Sequence, residues 1–168
     1  MVANATQRNA GRPSALLIED DLVHGALARM ILDAAGIQVF VASTQQEALE
    51  ILGDARPSLV LVAWDIDGID GRTMLLYLRA HIPALARIPA VLMTDRAVNA
   101  RTRIELSIEG YQWILQKPIV MTSLPRLVQR TVTEARATSR DGQPMRQHSV
   151  RLVDCATAAS SVYMEAVR

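Results

Sequence analysis

The sequence of 168 residues has one cysteine, Cys155, and one lysine, Lys117. A single cysteine excludes an intrachain disulfide and a metal site built from several cysteines, and it fits a reducing compartment. All other basic residues are arginine, and the net charge of +1 gives no strong attraction to nucleic acid or to a membrane surface. No apolar run reaches the roughly 18 residues that a membrane-spanning helix needs. Residues 1–13 lack the apolar core of a signal peptide, so the sequence predicts a disordered lead and a cytoplasmic protein.

Short apolar runs alternate with helical patterns between residues 14 and 137. The apolar runs are continuous, which is typical of strands that are buried on both faces of a parallel sheet. The predicted strands are 15–18, 37–42, 59–64, 90–94 and 112–115, and the predicted helices are 22–35, 44–52, 72–81, 97–108 and 123–137. Strands that alternate with helices predict an α/β domain, with a parallel sheet between two layers of helices.

Polar residues directly follow three of these strands. Glu19 and Asp20 come after the first strand, Thr94 ends the fourth, and Lys117 follows the fifth. Ligands of such sheets bind at the carboxyl ends of the strands. Carboxylates there suit Mg²⁺, and a hydroxyl and an ammonium could hold two phosphoryl oxygens. The next acidic residue, Asp21, is suited to cap the helix that it precedes.

Four segments in this order resemble the response-regulator receiver family, which is CheY-like. They are Leu16-Leu17-Ile18-Glu19-Asp20-Asp21, the stretch from Pro57 to Gly71, Leu92-Met93-Thr94, and Gln116-Lys117-Pro118. The resemblance spans about residues 14–137. It implies a flavodoxin-like (βα)5 three-layer sandwich with a five-stranded parallel sheet, a signalling role without enzymatic activity, and a cis bond between Lys117 and Pro118.

The resemblance also implies a role for each strand-end residue. Glu19 and Asp20 match the family's acidic metal pair, Thr94 matches its switch hydroxyl, and Lys117 matches its phosphate-sensing lysine. Another role for Lys117 is structural, as a salt-bridge partner that neutralises Asp20.

The sequence differs from the family pattern at the position of the phosphate-accepting aspartate. Counting back without gaps from Asp70-Gly71 puts Ala63 at the acceptor position, and alanine has no nucleophile. Asp65 is the competing acceptor, if the strand were two residues longer and the following loop two residues shorter. A shift of two residues keeps the side chain on the same face, so strand alternation does not exclude Asp65.

Two further consequences follow from the same resemblance. Ile114 stands where the family usually has a tyrosine or phenylalanine that rotates with the switch hydroxyl. Without an acceptor carboxylate, the acidic pocket of Glu19 and Asp20 should bind Mg²⁺ weakly, with Asp65 as a partial substitute ligand.

Residues 138–168 lie beyond the predicted domain. Residues 138–149 read as a linker, and from Val150 onward the apolar residues follow helical spacing. This predicts an extra amphipathic helix that packs back on the domain or contacts a partner, with disorder as the remaining alternative.

The leading hypothesis is a stand-alone atypical receiver of a two-component phosphorelay that is not phosphorylated and works by protein-protein interaction. The alternative is a genuine phosphoacceptor that uses Asp65 and is phosphorylated by a histidine kinase. Expected partners are a histidine kinase, a phosphotransfer protein or another regulator. A homodimer could form through the tail or through the face made by the fourth helix, the fifth strand and the fifth helix, where several arginines favour an acidic partner.

Overall fold

The computed structural model describes residues 12–120, 122–140 and 150–154. The strands are β1 (Ser14–Ile18), β2 (Gln38–Ala42), β3 (Leu59–Ala63), β4 (Asp65–Ile66), β5 (Ile69–Asp70), β6 (Ala90–Thr94), β7 (Tyr111–Gln116) and β8 (Arg151–Asp154). The helices are α1 (Leu22–Ala34), α2 (Gln45–Asp54), α3 (Gly71–His81), α4 (Ala100–Ile108) and α5 (Ser123–Arg140), with a 3₁₀ helix at Pro83–Arg87. No helix in the described part of the chain is long and apolar enough to cross a membrane.

One parallel sheet organises the domain, with strand order β2-β1-β3-β6-β7-β8. Every residue of β3 and of β6 is buried, because helices cover both faces of the sheet. This explains why the strands appear in the sequence as continuous apolar runs. The α/β architecture with five strand-helix units is confirmed.

Side-chain caps begin the helices that follow the strands. Asp21 Oδ1 accepts hydrogen bonds from the backbone N–H groups of Val23 and His24, both at 2.9 Å, so the predicted cap is confirmed. The bond from His24 lowers the pKa of the Asp21 carboxyl. Asp70 and Asn99 cap α3 and α4 in the same way. The peptide bond between Lys117 and Pro118 is cis, as the resemblance implied.

The C-terminal tail differs from the prediction. Residues 151–154 form a sixth strand parallel to β7, so a five-stranded sheet followed by a helix from Val150 is wrong for these residues. The edge of β7 offers unpaired backbone groups, and a segment with two valines is suited to pair with it. Helix α5 also continues to Arg140, so the predicted linker begins later than expected. The predicted lead at 1–11, the rest of the linker at 141–149 and the rest of the tail at 155–168 lie outside the described residues.

Candidate functional site

A cavity of about 400 Å³ opens at the carboxyl ends of the strands. It is lined by Asp21, His24, Ala63, Trp64, Asp65, Met93, Thr94, Asp95, Lys117 and Pro118. The fold thus brings the ends of β3, β6 and β7 to one place, as expected for a parallel sheet. Both residues considered for the acceptor position, Ala63 and Asp65, line this cavity together with Thr94 and Lys117.

Lys117 forms a salt bridge with Glu19 inside the domain. Its Nζ lies 2.6 Å from Glu19 Oε2, and the side chains are 13% and 2% exposed. The predicted pairing of Lys117 with Asp20 is therefore wrong. Glu19 directly continues the buried strand β1 and points inward, whereas Asp20 is exposed to solvent. Because a buried charge needs a partner, Lys117 and Glu19 depend on each other.

Asp20 holds a small hairpin next to the cavity. Its Oδ2 accepts a hydrogen bond of 2.9 Å from the backbone N–H of Asp67. Asp67 and Gly68 form the turn between β4 and β5, and both have a positive φ, of 49° and 75°. Two consecutive residues in this conformation are typical of the tight turns that join antiparallel strands. The carboxylate of Asp20 thus stabilises the hairpin that follows β3.

Ala63 ends β3 and is fixed against the first residue of α3. It is 1% exposed, and a Cβ on Gly71 would lie 1.9 Å from the Ala63 carbonyl oxygen. The Gly71 N–H donates a bond of 2.7 Å to the carbonyl of Trp64. Only glycine allows this close approach of the two backbones. The contact and the hydrogen bond therefore hold both ends of the hairpin between Ala63 and Gly71 in place.

Asp65 lies on the hairpin, at the mouth of the cavity. Its side chain is 59% exposed and Oδ2 lies 2.5 Å from Arg96 Nη2. The guanidinium of Arg96 also lies 5.5 Å from the ring centroid of Trp64, within the range of a cation–π contact. Arg96 follows Thr94 by two residues, and its N–H donates to Thr94 Oγ1 at 2.9 Å. The sequence pattern did not indicate Arg96, although Arg96 follows the end of β6, where the ligand-binding residues of such sheets lie.

Thr94 and Ile114, the residues at the predicted switch positions, are both interior. Thr94 is 1% exposed, and Ile114 in β7 is fully buried between Leu92 of β6 and Leu152 of β8 in the sheet register. A β-branched side chain packed in this way has little rotamer freedom.

The residues present do not fit a magnesium site. Glu19 is bound to Lys117, Asp20 to the hairpin backbone and Asp65 to Arg96. The methyl group of Ala63 adds no oxygen ligand. Among the described residues, no group of three or more acidic, histidine or cysteine side chains is arranged to hold a metal ion. Mg²⁺ prefers near-ideal octahedral oxygen geometry, which these paired carboxylates do not offer.

Comparison with known proteins agrees with the fold. The sequence profile described as "Response regulator receiver domain" matches residues 15–129. The chain belongs to the response-regulator receiver family. The chain is 27% identical over 124 residues to the two-component response regulator ORR5 of rice, Oryza sativa subsp. japonica. The alignment covers 73% of this chain and 90% of the rice protein.

Solved receiver structures share the fold. The receiver domain of the Francisella response regulator 1452 has a TM-score of 0.64 at 21% identity, over 73% of this chain and 98% of its own. The chemotaxis protein CheY4 of Vibrio cholerae has a TM-score of 0.66 at 20% identity, over 71% and 98%. At these identities the likeness supports the CheY-like fold alone. The family match adds that this is the receiver of a two-component response regulator.

Proposed function

We propose that this receiver takes part in two-component signalling without accepting a phosphoryl group, and that it acts by binding other proteins. The observation that carries the proposal is the buried methyl group of Ala63 at the cavity end of β3. A group that forms an acyl phosphate must be a carboxylate. Ala63 shares the cavity with Thr94 and Lys117 and provides none.

The pairing of Lys117 with Glu19 supports the same proposal. The ammonium is neutralised within the domain at 2.6 Å, and the salt bridge is largely shielded from solvent. A lysine held in this way stabilises the folded domain without any ligand. The residues that resemble a phosphate site then serve mainly to keep the ends of the strands together.

A second candidate function is phosphorylation of Asp65, favoured by the fact that Asp65 lines the same cavity. Its carboxylate is more than half exposed and is paired with Arg96 at the cavity mouth. An arginine this close stabilises the carboxylate and competes with a phosphodonor for it. We therefore prefer the proposal in which Asp65 and Arg96 close one side of the cavity.

Partners would be a histidine kinase, a phosphotransfer protein or another regulator, or a second copy of the chain. Helices α4 and α5 carry five arginines: Arg101, Arg103, Arg126, Arg130 and Arg136. These positive charges favour an acidic partner and would increase the rate of association more than the final affinity.

A titration with beryllofluoride, a phosphoryl mimic, tests the proposal through the tryptophan in the cavity wall. We expect the emission of Trp64 to stay constant when beryllofluoride and Mg²⁺ are added to the full chain. The variant Trp64→Phe identifies the signal of Trp64 against that of Trp113. A saturable change that disappears in Asp65→Asn would instead support the second candidate.

A further inference from the structure

Strand β8 covers an edge of the sheet that would otherwise be open. It pairs with β7 over four residues, from Trp113 beside Arg151 to Gln116 beside Asp154. Without β8, the backbone groups along the outer side of β7 would be unpaired. Such an edge accepts extended segments readily, and binding by strand addition uses it.

Side chains of α4 and α5 hold the tail in place. The carbonyl of Val150 accepts a hydrogen bond of 3.0 Å from Arg103 Nη2, and Val150 is 1% exposed. Arg151 Nη1 lies 3.2 Å from Glu134 Oε1. Val150 and the arginine after it are therefore both bound to helices of the domain.

An aromatic ring forms the centre of the contact. The guanidinium carbons of Arg130 and Arg151 lie 5.1 and 4.8 Å from the ring centroid of Trp113. Arg130 also bonds Glu134, with Nε 2.9 Å from Oε1. Glu134 thus connects an arginine of the domain with an arginine of the tail, and Trp113 contacts both.

The interactions that bind β8 to the domain are weaker than those that bind the central strands of the sheet. The side chains of Arg151 and Glu134 are 37% and 42% exposed, and ion pairs with this exposure contribute little. Leu152 is 40% exposed and Val153 is only partly buried, so Val150 is the fully buried apolar residue of the segment 150–154. A strand of four residues with one fully buried anchor before it can separate from the sheet while the domain stays folded.

We propose that the edge of β7 is a docking site for an extended segment and that residues 150–154 are its built-in, displaceable occupant. The site selects an apolar residue followed by arginine, because Val150 fills a buried position and Arg151 contacts both Trp113 and Glu134. The tail closes the edge until it is displaced. Ala63, Asp65 and Lys117 take no part, so this inference and the proposed function can fail independently.

The test compares two full-length variants that add the same charge to the segment 150–154. Val150→Asp puts a carboxylate into a buried position and should release the tail, whereas Leu152→Asp changes a partly exposed position and should leave the tail bound. Hydrogen exchange measures the release directly. We expect faster exchange in Val150→Asp at those amides of residues 111–116 that face β8, and exchange close to that of the unchanged chain in Leu152→Asp.

A labelled peptide then tests whether the released edge is a docking site. The probe has the sequence of residues 147–156 with Cys155→Ser, and fluorescence anisotropy measures its binding. Val150→Asp should bind the probe roughly tenfold or more tightly than the unchanged chain, whose own tail competes for the edge. A probe with Arg151→Glu should bind several-fold more weakly, because its carboxylate would face Glu134.

Three results would overturn the inference. If the amides of β7 exchange in Val150→Asp as they do in the unchanged chain, the tail is not displaceable. If they exchange equally fast in Val150→Asp and in Leu152→Asp, the buried valine is not the anchor of the tail. A released edge that fails to bind the probe would not be a docking site. None of these results depends on whether the chain can be phosphorylated.

Discussion

Gly71 touches Ala63 so closely that a Cβ on Gly71 would stand 1.9 Å from the carbonyl oxygen of Ala63. The contact joins the last residue of β3 to the first residue of α3 and fixes the hairpin between them. Ala63 is thereby held at the wall of the cavity, while Asp65 lies on the hairpin, at the mouth. The question of which residue faces Thr94 and Lys117 depends on this contact.

Gly71→Ala should destabilise the domain strongly. The added methyl group would overlap with backbone atoms, which cannot move without separating α3 from β3, so we expect a loss of about 3 kcal/mol or more. Urea denaturation followed by circular dichroism measures the change. The control is Gly53→Ala in α2, where nothing lies within 4 Å of the new Cβ. That substitution should stabilise the protein by up to about 1 kcal/mol, and an equal loss in both variants would contradict the close contact.

Lys117→Met should leave the carboxylate of Glu19 buried without its partner. Removing one member of a buried ion pair costs about 3 kcal/mol. The double variant Glu19→Gln/Lys117→Met should recover part of this loss, because no unpaired charge remains. A double-mutant cycle by urea denaturation measures the coupling between the two positions. Strictly additive effects would show that the salt bridge does not stabilise the fold.

Ala63→Asp should make the stability of the protein depend on Mg²⁺. A carboxylate at the cavity end of β3 would be buried without a partner of its own, because the acidic residues and the lysine nearby are already paired. A divalent cation that binds this carboxylate would offset the cost of burying its charge. We expect a lower melting temperature than that of the unchanged chain and an increase when Mg²⁺ is added. Ala63→Asn, which adds no charge, is the control and should not respond. If the unchanged chain responds as strongly as Ala63→Asp, our view of its metal binding is wrong.

Docking of the tail should weaken in acid through Glu134. Burial acts to raise the pKa of Glu134, but hydrogen bonds and charges from Arg130 and Arg151 outweigh it, so the pKa is lowered from 4.5. A carboxyl whose pKa is lowered stabilises the docked tail above its ordinary pKa, and this contribution is lost as the pH falls through the lowered value. In NMR spectra, the amide resonances that belong to the docked form of β8 should therefore lose intensity below about pH 4.5. Because this ion pair is partly exposed, its contribution is small, so Glu134→Gln should weaken the resonances only slightly at neutral pH and should flatten the pH dependence.

The sequence was sufficient to predict most of the fold. Each of the five predicted strands is present, because buried parallel strands give continuous apolar runs that end in polar residues. The cap at Asp21 was predictable for the same kind of local reason, since its contacts reach only three residues along the chain. Thr94 and Lys117 were found because the carboxyl ends of parallel strands must meet at one edge.

What the sequence did not reveal depends on contacts between distant segments. Whether Lys117 binds Glu19 or Asp20 is decided by which carboxylate points inward at the end of β1, and adjacent residues give no sign of that. The pairing of Asp65 with Arg96 joins two loops. Helical spacing of apolar residues predicts a helix from Val150, but the edge of β7 favours a strand at residues 151–154. Tertiary context overrode the local pattern.

The most direct test of the central claim is the mass of the intact protein after incubation with acetyl phosphate and Mg²⁺. We predict that the full chain keeps its mass, with no fraction carrying an added phosphoryl group. Asp65→Asn, measured in parallel, should behave identically. A stoichiometric mass increase in the unchanged chain that is absent in Asp65→Asn would contradict the account and identify Asp65 as the phosphoacceptor.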